Sequence, residues 1–191
     1  MIFRIFLGMI KGVGSFLKMF LRYAIVHGSN STLKNPFPTN WCYDTVSSIK
    51  IGDHVSIGPF SEIVIQEQTR FSDKLGGLVL GDRVSIGYGA NIRAAGGLIV
   101  LEKNALLAQN VSLIAAGHKI DFDKLYRDAE WDNGRTGVSI AENAWLGAGV
   151  VVLPGCKVGR NSIVGAGAVV TRDVPDNEVW AGVPARLVKR N

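Results

Sequence analysis

Aliphatic residues recur at every sixth position over much of the chain. From Ile140, six consecutive units begin with Ile, Leu or Val and carry a small or short residue four positions later: IAENAW, LGAGVV, VLPGCK, VGRNSI, VGAGAV and VTRDVP. The same frame occurs upstream from Ile51, Leu80 and Leu101. An α-helix returns apolar residues at three and four positions, and an amphipathic strand at two. A period of six therefore indicates short strands separated by turns.

Each six-residue unit is expected to form one face of a coil. Its aliphatic side chain points into a narrow interior, the small residue fills the space beside it, and three units close one triangular turn. Successive coils then hydrogen-bond to one another, which stabilises strands too short to exist alone. The 23 glycines fit repeated tight corners. The sequence therefore predicts an all-β solenoid, a parallel β-helix, over residues 46–191.

Departures from the period predict where the solenoid carries protrusions. The frame breaks between Ile63 and Leu80, a short irregularity follows Ile92, and residues 119–137 form a long polar excursion directly after His118. Loops of this length in a regular solenoid are usually functional or interfacial. We therefore expect the functional chemistry of the chain close to this protruding loop.

The N-terminal 26 residues are apolar but interrupted by Arg4, Lys11, Lys18 and Arg22. A spanning helix needs about 20 residues nearly free of charge, and a signal peptide needs an uninterrupted apolar region, so neither is predicted. The basic residues fall near one side of a helix, which predicts an amphipathic helix and a lead-in over residues 1–45. Packing on the protein or a neighbouring subunit, and peripheral membrane contact through residues 1–26, both fit this pattern.

Composition narrows the classes of partner. The net charge of +5 and the pI of about 9.4 favour anionic partners such as nucleotide phosphates or an acidic membrane surface. The sequence has no surface motif of interleaved aromatic and basic residues, so nucleic-acid binding is not predicted. Cys42 and Cys156 lie far apart and in no CxxC pattern, which argues against a disulfide framework or a zinc knuckle and fits the cytoplasm.

The second half of the chain resembles a known family. The stretch ends a coil with AAGH, protrudes, resumes with VSIAENAWLGAGVVVLPG and finishes with VGAGAVVTRDVPDNEVWAGVPARLVKR. These motifs, spanning Leu101–Asn191, resemble the hexapeptide-repeat acyltransferases related to maltose, galactoside and nodulation acetyltransferases. The resemblance implies a left-handed β-helix, acetyl-CoA as co-substrate with no required metal, and a homotrimer with active sites between subunits.

The resemblance also implies an O-acetyltransferase that acts on a sugar hydroxyl. Because the basic N-terminal segment suits an anionic membrane surface, the acceptor is expected to be a cell-surface polysaccharide or its lipid-linked or nucleotide-linked precursor. The enzyme would then be cytoplasmic, with peripheral contact at the inner face of the membrane as an open alternative. An amino-sugar acceptor, and thus N-acetylation, also stays open.

His118 is the predicted catalytic residue, because it stands where the resembling family has its catalytic histidine. A neutral imidazole can take the proton from a sugar hydroxyl while that oxygen attacks the thioester, with no acyl-enzyme. The other ring nitrogen needs an orienting partner, either Asp121 or Asp123 nearby in the loop or a backbone carbonyl. Asn91 and Arg93, on the preceding coil, are expected to reach the substrate together with these two acids.

The resemblance also assigns the donor site. Small residues let the extended pantetheine arm lie against the coil, and basic residues complement the nucleotide phosphates. The implied residues are Trp145 and Ala148 beside the arm, Ala166, Gly167 and Thr171 along it, and Arg172, Arg186, Lys189 and Arg190 at the phosphates. The backbone amide of Ala148 or of a neighbour would stabilise the thioester oxyanion.

Two alternative functions do not involve acyl transfer. A carbonic anhydrase of the γ class shares this solenoid but needs three histidine ligands, and His27, His54 and His118 offer no close pair. His54 falls at a corner of its unit, where exposure is expected. A non-catalytic scaffold also remains open, because a fold does not by itself define a function.

Overall fold

The computed structural model describes residues 39–190, which fold almost wholly into β-strands. The first sheet contains β1 (Asn40–Tyr43), β4 (Glu62–Gln66), β7 (Asn91–Ala95), β10 (Ser112–Ile114), β13 (Val151–Val152) and β16 (Val169–Val170). The second contains β2 (Ile49–Ile51), β5 (Gly77–Leu80), β8 (Leu98–Leu101), β11 (Val138–Ile140) and β14 (Cys156–Val158). The third contains β3 (Ser56–Ile57), β6 (Ser85–Ile86), β9 (Leu106–Leu107), β12 (Trp145–Leu146), β15 (Ile163–Val164), β17 (Glu178–Ala181) and β18 (Arg186–Arg190).

The chain visits the three sheets in rotation. Each strand pairs in parallel with the strand one coil later, so Ile140 of β11 lies between Leu101 of β8 and Val158 of β14. The exception is β18, which turns back antiparallel to β17 and ends the third sheet. This topology is a parallel β-helix with three faces, and it confirms the all-β solenoid predicted from the six-residue period.

The core follows the predicted frame. All six residues that begin a unit from Ile140 onward are at most 1% exposed: Ile140, Leu146, Val152, Val158, Val164 and Val170. The residues four positions later are also buried: Ala144, Val150, Cys156, Ser162, Ala168 and Val174. The buried Ser162 hydroxyl donates to the carbonyl of Gly159, which satisfies the one polar side chain in this set.

The three corners of the coil differ in construction. The second corner, from the second sheet to the third, places one residue of each coil in the left-handed region: His54, Arg83, Asn104, Asn143, Asn161 and Asn177. Asparagine tolerates this conformation better than most residues. Asn143 donates to Asn161 at 2.9 Å and Asn161 to Asn177 at 3.2 Å, so side chains also link the coils. His54 is exposed at this corner, as expected.

All three departures from the period lie at the first corner, from the first sheet to the second. They are residues 67–76, the short turn at 96–97, and residues 115–137, on three successive coils. The base of the long loop is closed, because the Gly137 N–H donates to the Ala115 carbonyl at 2.7 Å. Within residues 39–190 the protrusions therefore all lie on one edge of the solenoid.

The N-terminal edge of the solenoid lies before residue 46. β1 pairs in register with β4, Trp41 opposite Ile63, so residues 40–43 of the expected lead-in belong to the first sheet. The amphipathic helix expected in residues 1–45 falls mainly within residues 1–38, which lie outside the described part of the chain. Among residues 39–190, no helix has the length and apolar character needed to cross a membrane.

Candidate active site

His118 lies at the first corner, four residues after β10, with its imidazole exposed. Its Nδ1 is 2.8 Å from the carbonyl oxygen of Ala129. A carbonyl oxygen only accepts hydrogen bonds, so Nδ1 carries the proton and Nε2 carries the lone pair. This is the tautomer that a base acting through Nε2 requires.

The backbone carbonyl of Ala129, not a carboxylate, therefore contacts Nδ1. Ala129 is 1% exposed although it lies in a polar loop. Asp121 pairs with Lys124 at 3.6 Å and accepts the backbone N–H of Asp123, and Asp123 is exposed. Of the two alternatives considered from the sequence, the structure has the backbone carbonyl.

Two aromatic residues that sequence reasoning did not select surround His118. The indole Nε1–H of Trp131 donates to Nε2 of His118 at 3.2 Å, and the two rings meet edge to face at 5.9 Å. Phe71 lies 5.8 Å from the imidazole and stacks on Trp131 at 5.9 Å with 19° between the planes. Trp131 also donates its backbone N–H to the Phe71 carbonyl at 2.8 Å.

The short turn at residues 96–97, the remaining departure from the period, completes this cluster. Gly96 has φ of +63°, and a Cβ on it would overlap the six-membered ring of Trp131 and press on Ala116. Glycine at this turn therefore serves two purposes: it adopts the left-handed conformation, and it leaves room for the indole. The protrusions on three successive coils thus meet at His118.

Asn91 and Arg93 lie on the outward face of β7, in register with Ser112 and Ile114 of β10. The Arg93 guanidinium donates to the side-chain oxygen of Asn91 at 2.8 Å and to Glu62 at 2.7 Å. Both predicted residues are therefore part of a polar cluster on the first sheet, held by an acid of the coil before. This cluster occupies the face that leads to His118.

The predicted donor residues divide between two edges of the solenoid. Ala148, Ala166 and Gly167 stack at the third corner, from the third sheet to the first, where the Gly167 N–H donates to the Ala148 carbonyl at 2.8 Å. Trp145 is 47% exposed on the adjoining third sheet. Arg186 and Lys189 are exposed on β18 of that same sheet. We call these six residues, which lie on the third sheet and at its edge with the first, the predicted donor surface.

Thr171 and Arg172 instead lie at the first corner, after β16. The Arg135 guanidinium, from the long loop, donates to the Thr171 carbonyl at 3.0 Å. Arg190 pairs with the buried Glu178 at 2.9 Å and fixes the end of β18, so its guanidinium is already engaged. The resemblance had grouped these three residues with the donor surface.

One face of the solenoid separates His118 from the donor surface. A face of five or six extended residues spans about 15–20 Å at roughly 3.3 Å per residue. A hydroxyl on His118 and a thioester on the donor surface of the same chain are therefore too far apart to react. A single copy of this chain therefore keeps the predicted base and the predicted donor residues apart, as two predicted half-sites.

Cys156 is no alternative nucleophile. Its thiol is 1% exposed, and burial raises its pKa while the Arg135 guanidinium opposes this effect more weakly. Cys156 instead packs in the core, four positions after the start of its repeat unit. Within residues 39–190 there is no group of three or more His, Cys, Asp or Glu side chains placed to hold a metal ion.

Known proteins share these features. Residues 137–172 match the bacterial transferase hexapeptide (six repeats) family. Over 134 residues the chain is 32% identical to YJL218W of Saccharomyces cerevisiae, provisionally named an acetyltransferase, covering 70% of this chain and 66% of that one. Over 92 residues it is 44% identical to galactoside O-acetyltransferase of Lactococcus lactis, covering 48% and 42%.

Among solved structures, a perosamine N-acetyltransferase from Caulobacter crescentus, in complex with CoA and GDP-perosamine, has a TM-score of 0.54 and 25% identity. The match covers 90% of this chain and 63% of that chain. The β-helix and its six-residue repeat are thus features that this chain shares with a class of acyl-transferring enzymes. The chain belongs to the hexapeptide-repeat acyltransferase family. It spans about two thirds of the yeast relative and less than half of the galactoside O-acetyltransferase.

Proposed function

We propose that the protein is an acetyl-CoA-dependent O-acetyltransferase acting on a sugar hydroxyl, by direct transfer with His118 as general base. The observation that carries the proposal is the contact of Nδ1 with the Ala129 carbonyl at 2.8 Å, which leaves the lone pair of His118 on Nε2. The likeness to a galactoside O-acetyltransferase supports a sugar acceptor. The acceptor class that we favour is a cell-surface polysaccharide or its lipid-linked or nucleotide-linked precursor.

In the proposed reaction, His118 carries one proton from the acceptor hydroxyl to the leaving sulfur. The acceptor hydroxyl gives its proton to Nε2 of His118 while its oxygen bonds to the thioester carbonyl carbon. The carbon–sulfur bond then breaks, and the leaving sulfur takes the proton back from His118. The Ala129 carbonyl accepts the Nδ1–H throughout and stabilises the imidazolium. A backbone N–H at Ala148 or beside it would stabilise the oxyanion.

The separation of the half-sites supports a homotrimer. Since His118 and the donor surface occupy different corners, a second copy would bring its donor surface against His118 of the first. Head-to-tail contacts of this kind close into a ring of three when the rotation is a third of a turn, which suits a three-sided coil. The same family likeness supports a left-handed coil. We also propose a cytoplasmic protein in which residues 1–26 either pack on the protein or a neighbouring subunit or make a peripheral membrane contact.

Mixed oligomers test this arrangement. Neither His118→Ala nor Ala148→Phe alone should support transfer, the first lacking the base and the second blocking the donor surface. Co-expressed with different tags and purified through both, the two should recover about a third of the wild-type activity, because every mixed trimer has one interface of three that joins both intact halves. Oligomers that stay inactive would show that each site lies within one chain.

The acceptor class is tested by measuring CoA thiol release from acetyl-CoA over a panel of sugars. We expect release with neutral sugars that carry the reactive hydroxyl, and no release above the acceptor-free rate with the matched deoxysugars, because these lack the sugar nucleophile. Acetylation restricted to amino sugars would contradict O-transfer and leave the family and the donor unchanged. No release with any acyl donor would favour a non-catalytic scaffold.

N-Acetylation of an amino sugar is the second candidate. The observation that favours it is the likeness to a perosamine N-acetyltransferase, with 25% identity over 90% of this chain. An attacking amine also loses a proton as the new bond forms, so the same Nε2 would serve. The panel therefore needs each amino sugar beside its hydroxyl counterpart.

A further inference from the structure

Both ring nitrogens of His118 already have partners in this structure. Nδ1 donates to the Ala129 carbonyl, and Nε2 accepts the indole N–H of Trp131 at 3.2 Å. An acceptor hydroxyl cannot pass its proton to Nε2 while that lone pair is engaged. The base is therefore capped by Trp131 when no acceptor is bound.

The cap is held in place from several directions. Gly96 lies against one part of the indole, Phe71 stacks on it with 19° between the planes, and Trp131 is half-buried. The backbone N–H of Trp131 donates to the Phe71 carbonyl at 2.8 Å, and that of Lys119 donates to the Glu130 carbonyl, also at 2.8 Å. These contacts fix the direction of the indole N–H toward Nε2.

We propose that Trp131 is a positioning residue that keeps His118 from activating water against the bound thioester. This inference rests on the proposed function and adds a role for the cap. A sugar acceptor brings binding energy from its whole ring, which offsets the broken indole hydrogen bond. A water molecule brings only its own hydrogen bonds, so it competes less well with the indole for Nε2.

The side reaction that Trp131 would suppress is hydrolysis of the thioester. Water gives one proton to Nε2, and its oxygen bonds to the thioester carbonyl carbon. The carbon–sulfur bond breaks, and the sulfur takes the proton from His118, which yields the CoA thiol and acetic acid; the acid then loses its proton to solvent as acetate. The reaction needs nothing beyond the donor and water.

Trp131→Phe tests the proposal, because it keeps an aromatic ring between Gly96 and Phe71 and removes only the N–H. We expect CoA release without acceptor to rise by about 3- to 10-fold, the factor that corresponds to one ordinary hydrogen bond. The kcat for transfer at saturating acceptor should stay within about threefold of wild type, because the bound hydroxyl has already displaced the indole N–H in wild type and the variant has none to displace. The double variant Trp131→Phe/His118→Ala should show no such rise.

Trp41→Phe is the matched control. Among the described residues the Trp41 Nε1 is buried with no hydrogen-bond partner, so losing its N–H should alter neither rate. Phe71→Leu is a second variant that keeps the N–H but removes the stack, and it should raise acceptor-free release by a smaller factor. It covers the case in which Trp131→Phe folds poorly.

The outcomes separate this inference from the proposed function. If wild-type transfer depends on His118 but neither variant raises acceptor-free release, Trp131 is not a guard and the transferase proposal stands. If the rise persists in the double variant with His118→Ala, the extra hydrolysis does not use the base, and the guard proposal is likewise overturned. If the His118→Ala variant transfers acetyl to the acceptor at the wild-type rate, the proposed mechanism itself fails.

Discussion

Replacing His118 with alanine is expected to lower kcat for acetyl transfer by about 10²- to 10⁴-fold, the usual contribution of a positioned general base. The reason is the tautomer held by Ala129, which makes Nε2 the proton acceptor. The imidazole is exposed, so the loss of activity should come with little change in thermal unfolding. The measurement is CoA thiol release at saturating donor and acceptor, beside a melting curve.

His54→Asn is the matched control for this substitution. His54 is exposed at the second corner with φ of 56°, the position that asparagine occupies in several later coils. The kcat of the His54→Asn variant should be within about twofold of the wild-type value. The substitution is remote from the site and suits the local backbone, so it should be nearly neutral. A His118→Ala variant with near-normal kcat, or one inactive only because it unfolds, would remove the base from its proposed role.

Replacing Ile140 with alanine is expected to lower the free energy of unfolding by about 2–5 kcal/mol, the usual cost of such a cavity in a core. Ile140 is fully buried and lies between Leu101 and Val158 of the neighbouring coils. A narrow interior built from one aliphatic and one small residue per unit offers few neighbours that could shift to fill the space. Urea unfolding followed by circular dichroism measures the effect.

Ser139→Ala gives the comparison within the same strand. Ser139 points outward from β11, so its replacement should change the free energy of unfolding by no more than about 0.5 kcal/mol. A shift of the repeat frame by one residue would exchange the two positions between core and surface. Equal effects of the two substitutions, or a larger effect at Ser139, would therefore contradict the frame.

The solenoid could be predicted from the sequence because the spacing of aliphatic residues directly reports which side chains face inward. Ile140 and Leu146 begin consecutive units, and both are fully buried. The first strand escaped this reasoning, since Asn40–Tyr43 reads NWCY and carries no aliphatic residue to mark the frame. Its place in the first sheet comes from pairing with β4.

The surroundings of His118 were less accessible to sequence reasoning. A backbone carbonyl exists at every residue, so no pattern selects that of Ala129. Phe71 and Trp131 lie in different loops and meet only because both loops leave the same corner, on the coils either side of the one that carries Gly96. The available signal was an aromatic residue in each of two polar excursions, QEQTRF and DAEW.

The division of the donor residues between two edges was also hidden in the sequence. Gly167 and Thr171 are four residues apart, yet β16 runs between them and places them at different corners. A sequence motif groups such neighbouring residues into one site, although a two-residue strand is enough to place them on different edges of the solenoid. The ion pair of Arg93 with Glu62 likewise joins residues on different coils, 31 positions apart.

The closed base of the long loop has a consequence for how such a protein can change. Ala115 and Gly137 are joined by a backbone hydrogen bond, so the coil continues across the junction as though the intervening residues were absent. The exposed residues of the loop can therefore vary without altering the inward-facing residues of the coils on either side, whereas Ala129, Trp131 and Arg135 contact the rest of the molecule. The acceptor preference that we propose for this loop and the stability of the solenoid would then depend on different residues, so that one can be altered while the other is kept.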